Sequence, residues 1–133
     1  MGTDSMMAPG KDLLAFDCRE EDLDVLRGAV GPKGPALHVV SSPVQAAHLA
    51  MARRPLALIL GLRKQTLSNL EVIPVIRAAR GDLPVIVIGS RDSLEVEKAA
   101  RQIGIFYYLV HPLDPAEVHA VLKVVLRGPA SRK

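Results

Sequence analysis

Few side chains in this 133-residue sequence could do chemistry, and their spacing limits what each could do. Cys18 is the one cysteine and follows Asp17 at the end of the run "DLLAFD". A thiolate there could attack a phosphate ester, but a nucleophilic phosphate loop needs a guanidinium six residues on, and that position is Asp24. The intervening "REEDLD" is acidic, so it would repel phosphate and raise a thiol pKa. Cys18 therefore reads as a small, semi-buried filler. His111, just before Pro112, could accept a phosphoryl group, ligate a metal or act as a pH-sensitive partner for Asp17. With Asp17 as its sole nearby second ligand, a structural pair or loop residue is the better reading. His38, His48 and His119 fall in different segments, and no two have the helical spacing of zinc ligands.

The elements that must position these residues alternate along the chain. Apolar runs at 12–17, 36–41, 56–62, 83–90 and 105–112 read as strands. Between them lie helical patterns. "EEDLDVLRGAV" has an acidic first turn suited to the helix dipole and puts Leu23, Leu26 and Val30 on one face. Ser42 with Pro43 opens "VQAAHLAMARR" as cap and first-turn proline. Leu67 to Arg80 has helical spacing with Pro74 inside it, so that helix either starts late or kinks. Asp92 or Ser93 can cap "LEVEKAARQI", and Asp114, Pro115 and Glu117 start the last helix. Five apolar strands separated by five helices imply parallel pairing, with both sheet faces covered. That is a doubly wound α/β domain, in which chemistry sits outside the carboxyl ends of the strands. The residues there are Asp17, Cys18, Ser41, Ser42, Gly61, Gly89, Ser90, His111 and Pro112.

At these positions "LLAFDC", "PLALILGLRKQTLSNLEVIPVIRAA", "LPVIVIGS" and "GIFYYLVHPLDPAEVHAVL" resemble a response-regulator receiver domain over about Asp12 to Arg127. The resemblance implies a five-stranded, flavodoxin or CheY-like sheet of order 2-1-3-4-5 and a cis bond between His111 and Pro112. In that family an acidic pair holds magnesium, an aspartate ending the third strand accepts a phosphoryl group, a Ser or Thr ends the fourth, and a Lys precedes Pro after the fifth. Carried over, these fall on Asp17 and Cys18, on Gly61, on Gly89 and on His111. Only Asp17 keeps the family's residue type. A carboxylate nucleophile and hard oxygen ligands are both missing, so phosphotransfer and metal binding are expected to be lost. Ser90 and His111 are the remaining side chains that could take over as acceptor. Tyr108 matches the aromatic that swings between inward and outward states in receivers. With Glu95, Lys98, Arg101 and Glu117 it would form a partner face on the fourth helix, fifth strand and fifth helix. Changing Tyr108 to Ala is expected to weaken association while leaving the fold largely intact.

Composition narrows the partners. The net charge of +3 is spread without a basic run, and two Tyr, two Phe and no Trp leave little for base stacking, so direct nucleic-acid binding is not expected. No apolar run is long enough to span a membrane. A single cysteine excludes an internal disulfide and fits a reducing, cytoplasmic setting. Residues 12–127 are expected as one receiver-like domain, 1–11 as a disordered or vector-derived start and 128–133 as a tail or truncated linker. The expectation is a bacterial two-component pseudo-receiver, without enzymatic activity or cofactor. It would act through a protein partner, an attached output domain or a homodimer. The alternative is a small-ligand sensor using space that Gly61 and Gly89 leave open, and a third is an enzyme using Cys18 or His111.

Overall fold

Short apolar segments bounded by turn residues become strands, and the amphipathic stretches between them become the crossovers. A computed structural model describes residues 12–63, 70–92 and 94–127. The order is β1 (Asp12–Phe16), α1 (Glu20–Val30), β2 (Ala36–Val40), α2 (Pro43–Arg53), β3 (Ala57–Leu60), α3 (Val72–Ala79), β4 (Val85–Ser90), α4 (Leu94–Ile103), β5 (Tyr107–His111) and α5 (Pro115–Val125). All strand pairs are parallel, in the order β2-β1-β3-β4-β5. The predicted fold and strand order are those observed.

Because side chains alternate across a strand, each strand feeds two cores. Leu13, Ala15, Ile59, Ile86, Ile88 and Leu109 pack with Leu23 and Leu26 of α1 and Val118 and Leu122 of α5. Leu14, Leu58, Leu60, Val85, Val87 and Tyr108 pack with Ala46 and Ala50 of α2, Ile73 and Ile76 of α3, and Val96 and Ala100 of α4. Burial on both faces explains why these strands lack polar alternation.

The caps follow the sequence signals. Ser42 accepts a hydrogen bond from the Gln45 N–H at 3.1 Å, and Asp114 accepts one from the Ala116 N–H at 3.1 Å. As described, α3 runs from Val72, which puts Pro74 in its first turn, where the missing N–H costs no hydrogen bond. Residues 1–11, 64–69, 128–133 and Ser93 lie outside the described residues, so the expected termini, the start at Leu67 and a Ser93 cap are not described. Arg77 of α3 donates from Nη1 to the Ile103 carbonyl at 2.9 Å and from Nη2 to the Gly104 carbonyl at 2.7 Å. Those groups end α4, so one guanidinium satisfies two terminal carbonyls and ties α4 to α3.

Candidate functional site

The carboxyl ends of β1 and β3 meet through backbone rather than side chains. The Gly61 N–H donates to the Phe16 carbonyl at 2.8 Å, and the Arg63 N–H donates to the Asp17 carbonyl at 3.0 Å. Asp17 and Leu62 both adopt left-handed backbone, with φ of 60° and 49°, so each loop turns sharply toward the other. A Cβ added at Gly61 would lie 2.7 Å from the Asp17 carbonyl carbon, and closer still to its oxygen and to the Cys18 Cα. The β1–α1 backbone therefore fills the place where a side chain of residue 61 would begin.

The remaining groups are held by the protein itself. The Asp17 carboxylate, 8% exposed, faces the Arg63 Nε at 3.5 Å. The Cys18 thiol points inward, with Sγ 3.7 Å from the Phe16 carbonyl and 3.8 Å from that of Ile59. Burial first, then the charges of Asp22 and Asp17, push its pKa up to about 12. The expected direction holds, but desolvation leads it, and the acidic residues from Glu20 onward form the first turn of α1 rather than a loop. A thiol with so high a pKa holds little thiolate near neutral pH.

At the end of β4 a side chain does the filling. Gly89 lies two residues beyond Val87, which pairs with Tyr108 of β5. A Cβ on Gly89 would overlap the Tyr108 hydroxyl and lie 2.5 Å from the ring carbon that bears it. The space expected at both glycines is occupied by the chain's own atoms. Ser90 ends β4 partly buried and is paired in register with His111.

His111 does not pair with Asp17. Its Nδ1 lies 2.8 Å from Oδ1 of Asp22, and its Nε2 lies 3.9 Å from Glu21. The α1 helix turns Asp22 inward to 1% exposure, while the His111–Pro112 bond is cis, as predicted. The correction follows from helical geometry. Asp22 sits in the acidic first turn, yet Leu23 and Leu26 define a buried face that it partly shares.

The partner face also needs correction. Glu95, Lys98 and Arg101 are exposed on α4, but Tyr108 is 6% exposed and belongs to the core. Tyr108→Ala is therefore expected to destabilise the fold as well. The exposed aromatics are its neighbours Phe106 and Tyr107, which with Ala120, Val121 and Val124 line a shallow groove of about 310 Å³. Glu117 accepts a hydrogen bond from the Tyr107 hydroxyl at 2.9 Å, and that bond leads in raising the Tyr107 pKa above its usual value. Strand alternation could have shown that Tyr107 and Tyr108 point to opposite faces, although not which one is covered.

Magnesium would need oxygen ligands around this cleft. Asp17 faces Arg63, residue 18 offers a buried thiol and residue 61 has no side chain. Among the described residues no three His, Cys, Asp or Glu side chains gather to hold a cation. The residues present do not fit the metal. Among the described residues, no helix is long and apolar enough to cross a membrane.

No family model matches the sequence. It is 32% identical over 125 residues to the photosynthetic apparatus regulatory protein RegA of Cereibacter sphaeroides, covering 92% of this chain and 68% of that protein. It is 30% identical over 115 residues to the response regulator MprA of Mycobacterium leprae, covering 86% of this chain. The chain spans 50% of the length of MprA. In fold it is similar to the CheY-like protein tadZ of Pseudomonas aeruginosa, with a TM-score of 0.74, 18% identity, and coverage of 87% and 99% of the two chains. The N-terminal receiver domain of a Bacteroides fragilis response regulator gives 0.72 at 16% identity, covering 90% and 98%. Sheet order, helix placement and the RegA match agree: the chain belongs to the response-regulator receiver family, the CheY-like domains of two-component signalling.

Proposed function

We propose that this domain is a non-phosphorylatable receiver, a cytoplasmic signalling module that works by protein–protein contact and not as an enzyme. The observation that carries the reading is at Gly61. The residue that would supply the nucleophile has no side chain, and the Asp17–Cys18 backbone lies where one would start. Phosphoryl transfer to a protein carboxylate needs that nucleophile and a metal to neutralise the phosphate, and neither requirement is met by the side chains present. Contact with a partner, an attached output domain or a second copy would use α4, β5 and α5. There Phe106, Tyr107 and Val124 are exposed, and Glu117 lines the same groove and accepts from the Tyr107 hydroxyl. Exposed aromatic groups beside a charged residue suit a small interface. A small-ligand sensor at the cleft loses its motive, since the room at both glycines is taken.

The test is incubation with Mg²⁺ and acetyl phosphate, and separately with beryllofluoride. The expected result is no gain of phosphoryl mass and no metal-dependent shift in amide NMR resonances. A Mg²⁺-dependent gain of one phosphate, mapped to Ser90, His111 or any other residue of the cleft, would sink the reading.

A further inference from the structure

We propose that Gly89 and Tyr108 form a latch: the missing side chain at 89 gives the phenol a seat, which holds the α4–β5–α5 surface in its ring-inward state without a phosphoryl group. Side chains of residues two apart on a strand project from the same face, so the row through Val87 continues at residue 89. Tyr108 pairs with Val87, and its hydroxyl reaches along that row to the position a Gly89 side chain would take. The ring and a side chain at 89 exclude each other. Glycine decides the contest for the ring.

Two features of the seat bear on how the ring is held. The Tyr108 hydroxyl is buried with no hydrogen-bond partner among the described residues. Desolvating an unpaired hydroxyl opposes this placement, so the apolar contacts of the ring must outweigh it. They come from the same core as Val87, Val96 and Ala100. On its outer side the ring meets an ion pair. The Arg101 guanidinium carbon lies 5.8 Å from the ring centroid, and Arg101 is held by Glu97 at 2.9 Å. A ring leaving its seat would have to displace that ion pair.

The latch deepens the interaction reading and rests on it only for its meaning to partners; its test needs no partner, so the two can fail separately. Tyr107→Phe leaves Tyr108 as the single tyrosine. With ¹³Cζ-labelled tyrosine, that protein is expected to show one ring environment, titrating above the usual value of about 10 and unchanged by beryllofluoride with Mg²⁺. Adding Gly89→Thr should expel the ring, moving the resonance and returning the titration to that of an exposed phenol. Gly89→Ala should do the same if the threonine variant does not fold. Tyr108→Phe should leave the melting temperature unchanged or raised, since it removes a hydroxyl that makes no bond. The latch is refuted if the parent ring titrates like an exposed tyrosine, or if a folded Gly89 variant keeps the parent's resonance and titration. A lowered melting temperature for Tyr108→Phe would refute it as well.

Discussion

Gly61 follows β3 and Gly89 is the last residue but one of the neighbouring β4, and both stand where the family places functional side chains, yet the space is filled in two different ways. At Gly61 the filler is the backbone of Asp17 and Cys18, fixed by hydrogen bonds on both sides. At Gly89 it is the far end of one tyrosine. A backbone cannot step aside without dismantling the loop, whereas a ring can rotate about its own side-chain bonds. The first site is therefore closed for good, and the second is closed only while the ring stays.

Substitutions at the two glycines should break or sharpen this contrast. Gly61→Asp should cost about 3 kcal/mol or more in urea denaturation, because overpacking against fixed backbone finds no relief. It should also fail to gain phosphate from acetyl phosphate. A stable, phosphorylated Gly61→Asp protein would show that the loop yields. Tyr108→Ala should cost about 3 kcal/mol, the low end for removing a buried aromatic, since an unpaired hydroxyl goes with it. Gly89→Ala should cost about 2 kcal/mol and in any case less than Tyr108→Ala, because expulsion of the ring sets the ceiling. Equal losses for Gly61→Ala and Gly89→Ala would erase the distinction.

The last prediction is silent at neutral pH. The folded Cys18 thiol has its pKa raised above its unfolded value of 9.0, to about 12. Its contribution to stability is thus complete below pH 9 and lost as pH rises toward 12. Alkylation of the native protein at pH 8 should be roughly 1,000-fold slower than for a free cysteine, as expected from a thousandth of the thiolate. Alkylation at the free-cysteine rate would mean that the β1–α1 loop opens readily.

The architecture was legible because apolar runs, caps and prolines all pointed to the same alternation. Asp114 and Ser42 cap the helices that the sequence assigns to them, and Pro74 sits in a first turn. The site was legible only as a set of absences. That Gly61 lacks a nucleophile can be read from its letter; that its space is occupied by carbonyl and Cα atoms cannot, because it depends on how two loops cross. Asp22 was hidden for a similar reason. Its charge made it look like a solvated helix start, while the packing of α1 against the sheet buried it beside His111. Tyr108 was placed on the right strand, but its depth depends on α4, whose position no local pattern states.

Arg77 carries a mechanical consequence. By holding the carbonyls of Ile103 and Gly104 it pins the carboxyl end of α4, whereas Leu94 at the other end is 66% exposed. A tie at one end favours tilting over sliding. Ten helical residues give a lever of about 15 Å. A rearrangement around Tyr108 that tilted α4 by a few degrees would therefore move the Leu94 and Glu95 end furthest, turning a side-chain rotation into displacement at the rim of the domain.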